Sequence, residues 1–274
     1  MKNYTYKWLN KDGAKGYYPT KLFNVKNAKT IKGEKLGYLT AILYLSPYKE
    51  SGFNMCPMAS KGCIKACLYN SGHAKMYDSV NLGRMNKTKY FMHDRKRFIT
   101  QLNKEIENLY VKATSNKMKL CIRLNGTSDF SFETLGIMQK WNNIQFYDYT
   151  KIPKRMYQYL DGKLPSNYHL TFSRTEEKDN QEHCKWILCG GGNVAMVFRN
   201  AEKYIDKTYY NQKVIDGDMH DLRFLDRKNS IVGLSVKPNE YTKESNGFII
   251  EDGTTDLKNQ HLEVKNLHFD KVGI

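Results

Sequence analysis

Three cysteines fall in one short loop, Cys56-Pro57-Met58-Ala59-Ser60-Lys61-Gly62-Cys63-Ile64-Lys65-Ala66-Cys67, with six and then three residues between them. Thiolates grouped this way can fold around one metal ion. Zinc needs a fourth ligand, for which His73 is the nearest candidate and His93, Cys184 and Cys189 are others. A three-cysteine iron–sulfur cluster with an open iron, of the kind that works with S-adenosylmethionine, is a rival reading. Three reduced, buried thiols without metal are the plainest reading. In a large chain with no apolar leader, clustered cysteines more often bind metal than pair as disulfides. The expectation is a metal, zinc first, held by Cys56, Cys63, Cys67 and His73. Cys121 lies inside an apolar run and reads as core, and Cys184 and Cys189 stand at helical spacing and read as packing.

Carboxylates supply the second chemistry. Asp129 follows Asn125-Gly126-Thr127-Ser128, Asp148 follows Phe146-Tyr147, and Asp216, Asp218 and Asp221 cluster within Asp216-Gly217-Asp218-Met219-His220-Asp221-Leu222-Arg223. A pair of convergent carboxylates suits acid/base work, or attack at an anomeric carbon by one while the other protonates the leaving group. The competing explanation for a lone Asp after a strand is a helix N-cap. It fits Asp129 in part and Asp226 better. It does not explain three Asp within six residues, because one helix needs one cap.

Such residues need a scaffold that gathers them. Seven short apolar segments punctuate the chain: Leu39–Leu45, Leu120–Leu124, Ile144–Tyr147, Tyr168–Phe172, Val194–Phe198, Lys213–Ile215 and Ile231–Val236. Their length and composition read as strands. Helical stretches are expected at 77–113, 133–142 and 176–189. In the first, Phe91, Phe98, Leu102, Ile106 and Leu109 recur on one helical face. Alternating strands and helices imply a parallel sheet, and the count predicts an α/β fold, a compact or incomplete (β/α)8 TIM-like barrel, with an open doubly wound sheet as the alternative. No glycine-rich dinucleotide fingerprint follows the first strand. One domain is expected: an irregular basic segment at 1–35, the barrel at 36–238, and a C-terminal tail with a short hairpin at 239–274. Barrel enzymes work at the C-terminal ends of their strands, which is where these Asp residues and the cysteine loop fall. The triple glycine Gly190-Gly191-Gly192 ends the last helix and lets backbone approach a flat ligand.

The chain has 274 residues, with 44 Lys and Arg against 28 Asp and Glu, a net charge of +16. That excess points to a nucleic-acid partner. Arg84, Lys87, Lys89, Arg95 and Arg97 on the long helix are the candidates for holding phosphates. With 40% hydrophobic and 26% charged residues the composition excludes a disordered chain, a collagen and a coiled coil. The longest apolar run is too short to span a bilayer, and Met1–Lys7 has no signal-peptide core. The expected setting is therefore cytoplasmic, with no membrane partner.

Several segments together resemble a family of phage-encoded proteins: Lys32–Thr40, the cysteine loop, Arg123–Asp129, Phe146–Lys151, Asn167–Ser173 and Gly217–Asp226. This set is in turn similar to the phage relatives of tRNA-guanine transglycosylase. The resemblance implies replacement of guanine in DNA, or in RNA, by a 7-deazaguanine, inside an infected host cell. Asp218-Met219-His220-Asp221 is similar to the transglycosylases' Asp-Met-Phe-Asp, which carries the nucleophile over to Asp221. Thr127-Ser128-Asp129 carries the general acid/base over to Asp129. The same resemblance implies that Asp148 and Gly191 read the base. Asp218, Arg223 and Asn125, which stand just past their strands, are expected beside the substrate. One departure is plain: the transglycosylases bind zinc late in the barrel, whereas these cysteines come early. A radical S-adenosylmethionine enzyme with a 4Fe-4S cluster and a zinc-stabilised, non-catalytic DNA-binding protein are the two alternatives.

Overall fold

The structure is a computed structural model, and it describes residues 7–9, 15–67, 78–239, 242–243 and 247–254. The strands are β1 (Lys7–Leu9), β2 (Lys15–Tyr17), β3 (Phe23–Asn24), β4 (Tyr38–Leu43), β5 (Lys119–Arg123), β6 (Gln145–Thr150), β7 (Tyr168–Ser173), β8 (Val194–Phe198), β9 (Thr208–Tyr209), β10 (Gln212–Asp216), β11 (Ile231–Ser235) and β12 (Ile249–Ile250). The helices are α1 (Ala28–Glu34), α2 (Lys61–Lys65), α3 (Asp78–His93), α4 (Arg95–Ser115), α5 (Ile137–Lys140), α6 (Pro153–Leu160) and α7 (Lys178–Cys189), with 3-10 turns at Phe132–Leu135, Ala201–Lys203 and Arg223–Leu225.

All seven expected strands are present, as β4, β5, β6, β7, β8, β10 and β11, and they pair in parallel. Near-continuous apolar runs make sense here, because a parallel strand is covered on both faces. Five of the six residues of β4 are buried. On β5, Leu120 and Ile122 join the large core beneath the helices, while the alternate Cys121 turns to the other face. There Cys121 packs with Tyr147 and Leu222, flanked by Tyr38 and Phe224. α4 buries Phe98, Leu102, Ile106 and Ala113 and lies against β4 and β5; α6 and α7 cover β6, β7 and β8.

The barrel expectation requires correction. The ten strands β3 to β12 form one sheet in the order β3-β4-β5-β6-β7-β8-β11-β10-β9, with β12 alongside β8. The sheet does not close. The two-residue strand β3 occupies the free edge of β4 antiparallel, and β9 does the same for β10, so neither edge is left for the other. Order is also broken, because β11 lies between β8 and β10. Residues 217–226, after β10, nevertheless reach the far side of the sheet: Lys32 Nζ from α1 donates to the Asp218 carbonyl at 2.6 Å, and Asp221 meets Arg123 at the end of β5.

Two smaller expectations change too. The segment 1–35 holds α1, β3 and a β1–β2 antiparallel pair, so it is not irregular. The helix expected at 77–113 is two helices, because Asp94 leaves helical geometry and caps α4, its carboxylate accepting from Arg97 N at 3.2 Å. The hairpin expected in the tail 239–274 falls largely outside the described residues; of that tail, β12 pairs parallel with β8 at Val197 and Phe198, just past the point where β7 has left β8. The chain thus splays β7 from β8 and wedges β12 into the gap. Among the described residues, no helix is long and apolar enough to cross a membrane.

Candidate active site

A cavity of about 500 Å³ opens at the C-terminal ends of the parallel strands, a size suited to a small organic ligand. The turn after β5 forms its floor. Asn125 organises that turn: its side chain accepts from Ser128 Oγ and Phe130 N, each at 2.9 Å, and its N–H donates to Asp148 at 2.7 Å. Gly126 is required there, since a Cβ would sit 2.6 Å from Tyr44 and 2.8 Å from the Leu43 carbonyl. The turn delivers Asp129 to the cavity wall, 8% exposed, where its carboxylate accepts from Thr150 Oγ1 at 2.9 Å, Lys151 N at 2.7 Å and the Arg155 guanidinium. Asp129 is therefore not a helix cap. Arg155 also grips Glu133 through two nitrogens, at 2.7 and 2.9 Å.

The segment after β10 delivers the second carboxylate. Asp216 Oδ1 accepts from Asp218 N and Met219 N and so turns the chain. Asp221, 5% exposed, lines the cavity and is held by Arg123 Nη1 at 2.9 and 3.2 Å and by Tyr147 OH at 3.3 Å. The Arg123 guanidinium also lies over the Tyr149 ring, 4.6 Å from its centre. Asp218 lines the cavity beside them. Burial pushes its carboxyl up, but the Ser235 N–H and the Lys237 ammonium outweigh this and hold it below the usual carboxylate range.

Cys56, Cys63 and Cys67 line the same cavity. α2 carries Cys63, and Glu176 fixes that helix by accepting from Ser60 Oγ and Gly62 N, each at 2.7 Å. Burial pushes the Cys56 thiol up to about 12, and its Sγ lies 3.7 Å from the Thr127 carbonyl. Lys151 donates to Cys63; burial lowers the ammonium, but Cys63, Asp129 and Cys56 outweigh it and the net direction is upward. Among the described residues, no three His, Cys, Asp or Glu side chains are placed to hold a metal ion. As arranged, Cys56 faces a carbonyl and Cys63 an ammonium. His73 lies outside the described residues.

The cavity thus gathers Asp129, Asp221, Asp218, Asn125 and the three cysteines, and leaves out other expected members. Asp148 is 0% exposed and points into a buried network with Asn125 and Tyr168, whose hydroxyl donates to it at 3.0 Å. Arg223 is 0% exposed beneath the segment, its Nη2 donating to the His220 carbonyl and its Nη1 3.1 Å from Asp226, without lining the cavity. Gly191, with φ of 85°, follows the Gly190 cap of α7 at the N-terminal end of β8, away from the cavity. Cys121 and Cys184 are buried, and Cys189 is exposed at the end of α7.

The helix cations lie elsewhere and largely on aromatic rings: Arg84 over Tyr44, Arg95 over Phe91 and Arg97 over Tyr18. Lys87 is pulled down to about 8 by burial, and Lys89 is half-buried. Arg123, Lys151 and Arg174 also line the cavity, and the sequence reading assigns none of them a role there. An arginine inside the apolar run Leu120-Cys121-Ile122-Arg123-Leu124 was the available signal, since a charge in a buried strand needs a partner.

A family model described as Gene product 88 matches residues 21–251. No curated protein and no solved structure matches the chain.

Proposed function

The chain belongs to the Gene product 88 family of phage proteins, and on that premise we propose that it is a base-exchange enzyme, replacing guanine in DNA with a 7-deazaguanine. One observation carries the reading: Asp129 and Asp221, delivered by different strands, line one cavity large enough for a nucleoside. A guanosine inside a duplex is out of reach, so the target nucleotide is turned out of the stack into the cavity. An Asp221 oxygen then bonds to C1′ while the C1′–N9 bond breaks. The electron pair leaves with guanine, which takes its proton from Asp129. The incoming deazaguanine gives its N9 proton to Asp129 and displaces Asp221 from C1′, which restores both carboxyl groups. Arg123 and Tyr147 fix the direction of the Asp221 carboxylate, and Arg155 and Thr150 fix that of Asp129. No step uses the cysteine loop.

The test is incubation of the protein with a guanine-containing oligodeoxynucleotide and a free 7-deazaguanine, followed by digestion and mass spectrometry of the nucleosides. The expected result is incorporation by the natural sequence and a loss of at least about 1,000-fold in Asp221→Asn, about 4 kcal/mol of transition-state stabilisation. A covalent protein–DNA adduct on a denaturing gel, absent in Asp221→Asn, accompanies it. Exchange that persists in that variant removes the nucleophile. Tight DNA binding with no altered nucleoside leaves a binding protein.

A further inference from the structure

Two cations on the cavity wall have no task in base exchange. Lys151 directly follows β6 and Arg174 directly follows β7, and pairing of Thr150 with Phe172 brings the two positions side by side. Both line the cavity, and the charges of both are felt by the buried Cys184 thiol. Arg123 and Lys237 in the same cavity each face a carboxylate, on Asp221 and Asp218. Among the described residues, Lys151 and Arg174 form no ion pair with a carboxylate. Arg174 Nη1 donates to the Gly247 and Phe248 carbonyls, at 2.9 and 3.2 Å, and its Nε is buried with no partner among the described residues. Lys151 donates to the Cys63 thiol. Asp129 is within Coulombic range of Lys151, but its oxygens already accept from Arg155, Thr150 and the Lys151 N–H. A buried N–H left unpaired beside a second cation is costly unless an anion completes it.

We infer that Lys151 and Arg174 seat a phosphate of the substrate, the phosphodiester next to the nucleoside in the cavity. The arginine offers a planar donor edge suited to phosphate oxygens, and the lysine a point charge. The assignment of that phosphate to DNA rests on the base-exchange reading; the cation pair itself does not. It also moves one phosphate-binding position from the helix residues Arg84–Arg97 to the cavity wall.

The experiment measures binding of a labelled single-stranded oligodeoxynucleotide by fluorescence anisotropy at a series of salt concentrations. The natural sequence is compared with Arg174→Gln, Arg174→Lys and Lys151→Gln. Removing a cation that neutralises one phosphate lowers the slope of log affinity against log salt by about 0.7. That reduction is expected for Arg174→Gln and Lys151→Gln, with Arg174→Lys retaining the slope. An oligonucleotide with one uncharged methylphosphonate beside the target guanine shows the same reduction, and Arg174→Gln then adds nothing to it. Unchanged slopes in Lys151→Gln and in a folded Arg174→Gln overturn the phosphate seat. If Arg174→Gln does not fold, Lys151→Gln and the methylphosphonate decide. Inorganic phosphate that binds at this pair without competing with the oligonucleotide overturns its assignment to the substrate. Exchange activity is scored separately. A reduced slope without any exchange removes the base-exchange reading and keeps the seat, and exchange with unchanged slopes does the reverse.

Discussion

Asp148 is surrounded by donors, Asn125 N, Asn125 Nδ2 and Tyr168 OH, yet burial pushes its carboxyl up to about 7. The folded state therefore holds a proton on Asp148 that the unfolded chain releases near pH 4, and stability from this group falls as pH rises from about 4 to about 7. His169 works in the opposite sense. Burial pulls it down to about 4, so its contribution is complete above 6.5 and is lost as pH falls from 6.5 toward 4. Asp148→Asn is expected to abolish the first slope and expose the second: its melting temperature climbs with pH over this window, more steeply than that of the natural sequence. A variant whose profile parallels the natural one would mean that Asp148 does not titrate there. Sequence position alone misled for this residue. Side chains alternate along β6, so Phe146 and Asp148 face the helices and Tyr147 faces the other side; an Asp at a strand end points into the cavity only in the right phase. Asp129 and Asp221 come from turns, where the rule of alternation does not apply, and their residue types and place after a strand were enough to find them.

At the scale of elements, strands were legible because a run of Val, Ile, Leu and Phe bounded by polar residues has few other uses. Helix boundaries were less so. The stripe Phe91, Phe98, Leu102, Ile106 keeps its phase across the break at Asp94, and no Pro or Gly marks the interruption. What makes the break is a side chain: Asp94 turns one oxygen to Arg97 N and the other to Tyr18 OH, at 3.2 and 3.1 Å. Asp94→Ala is expected to cost about 1 kcal/mol in urea unfolding, the usual worth of an N-cap, and a cost near zero would mean that packing alone fixes the junction. The short helix α2 depends on a distant residue in the same way. With Glu176→Ala, Ser60 and Gly62 lose their acceptor, and alkylation of Cys63 is expected to quicken several-fold; unchanged rates would show that the loop holds itself.

For the molecule as a whole, the α/β class and parallel pairing followed from the alternation of segments, but closure did not. Whether a sheet closes depends on what occupies its two edges, and β3 and β9, of two residues each, are too short to stand out in a sequence. Side chains span the remaining seam, chiefly Arg123 and Asp221. Arg123→Leu leaves the buried Asp221 charge without its guanidinium partner and is expected to destabilise by about 3–5 kcal/mol, whereas the pair Arg123→Leu with Asp221→Leu recovers most of that loss. A double variant as unstable as the single one would assign the cost to packing.

The wedge of residues 247–250 carries one more implication, for synthesis. Phe248 and its neighbours finish the wall around the thiols and carboxylates, and they leave the ribosome after every other part of that wall. A nascent chain thus displays its reactive groups before the chamber is sealed, and a stop codon just ahead of Gly247 would yield a protein whose sheet is nearly intact but whose chamber leaks.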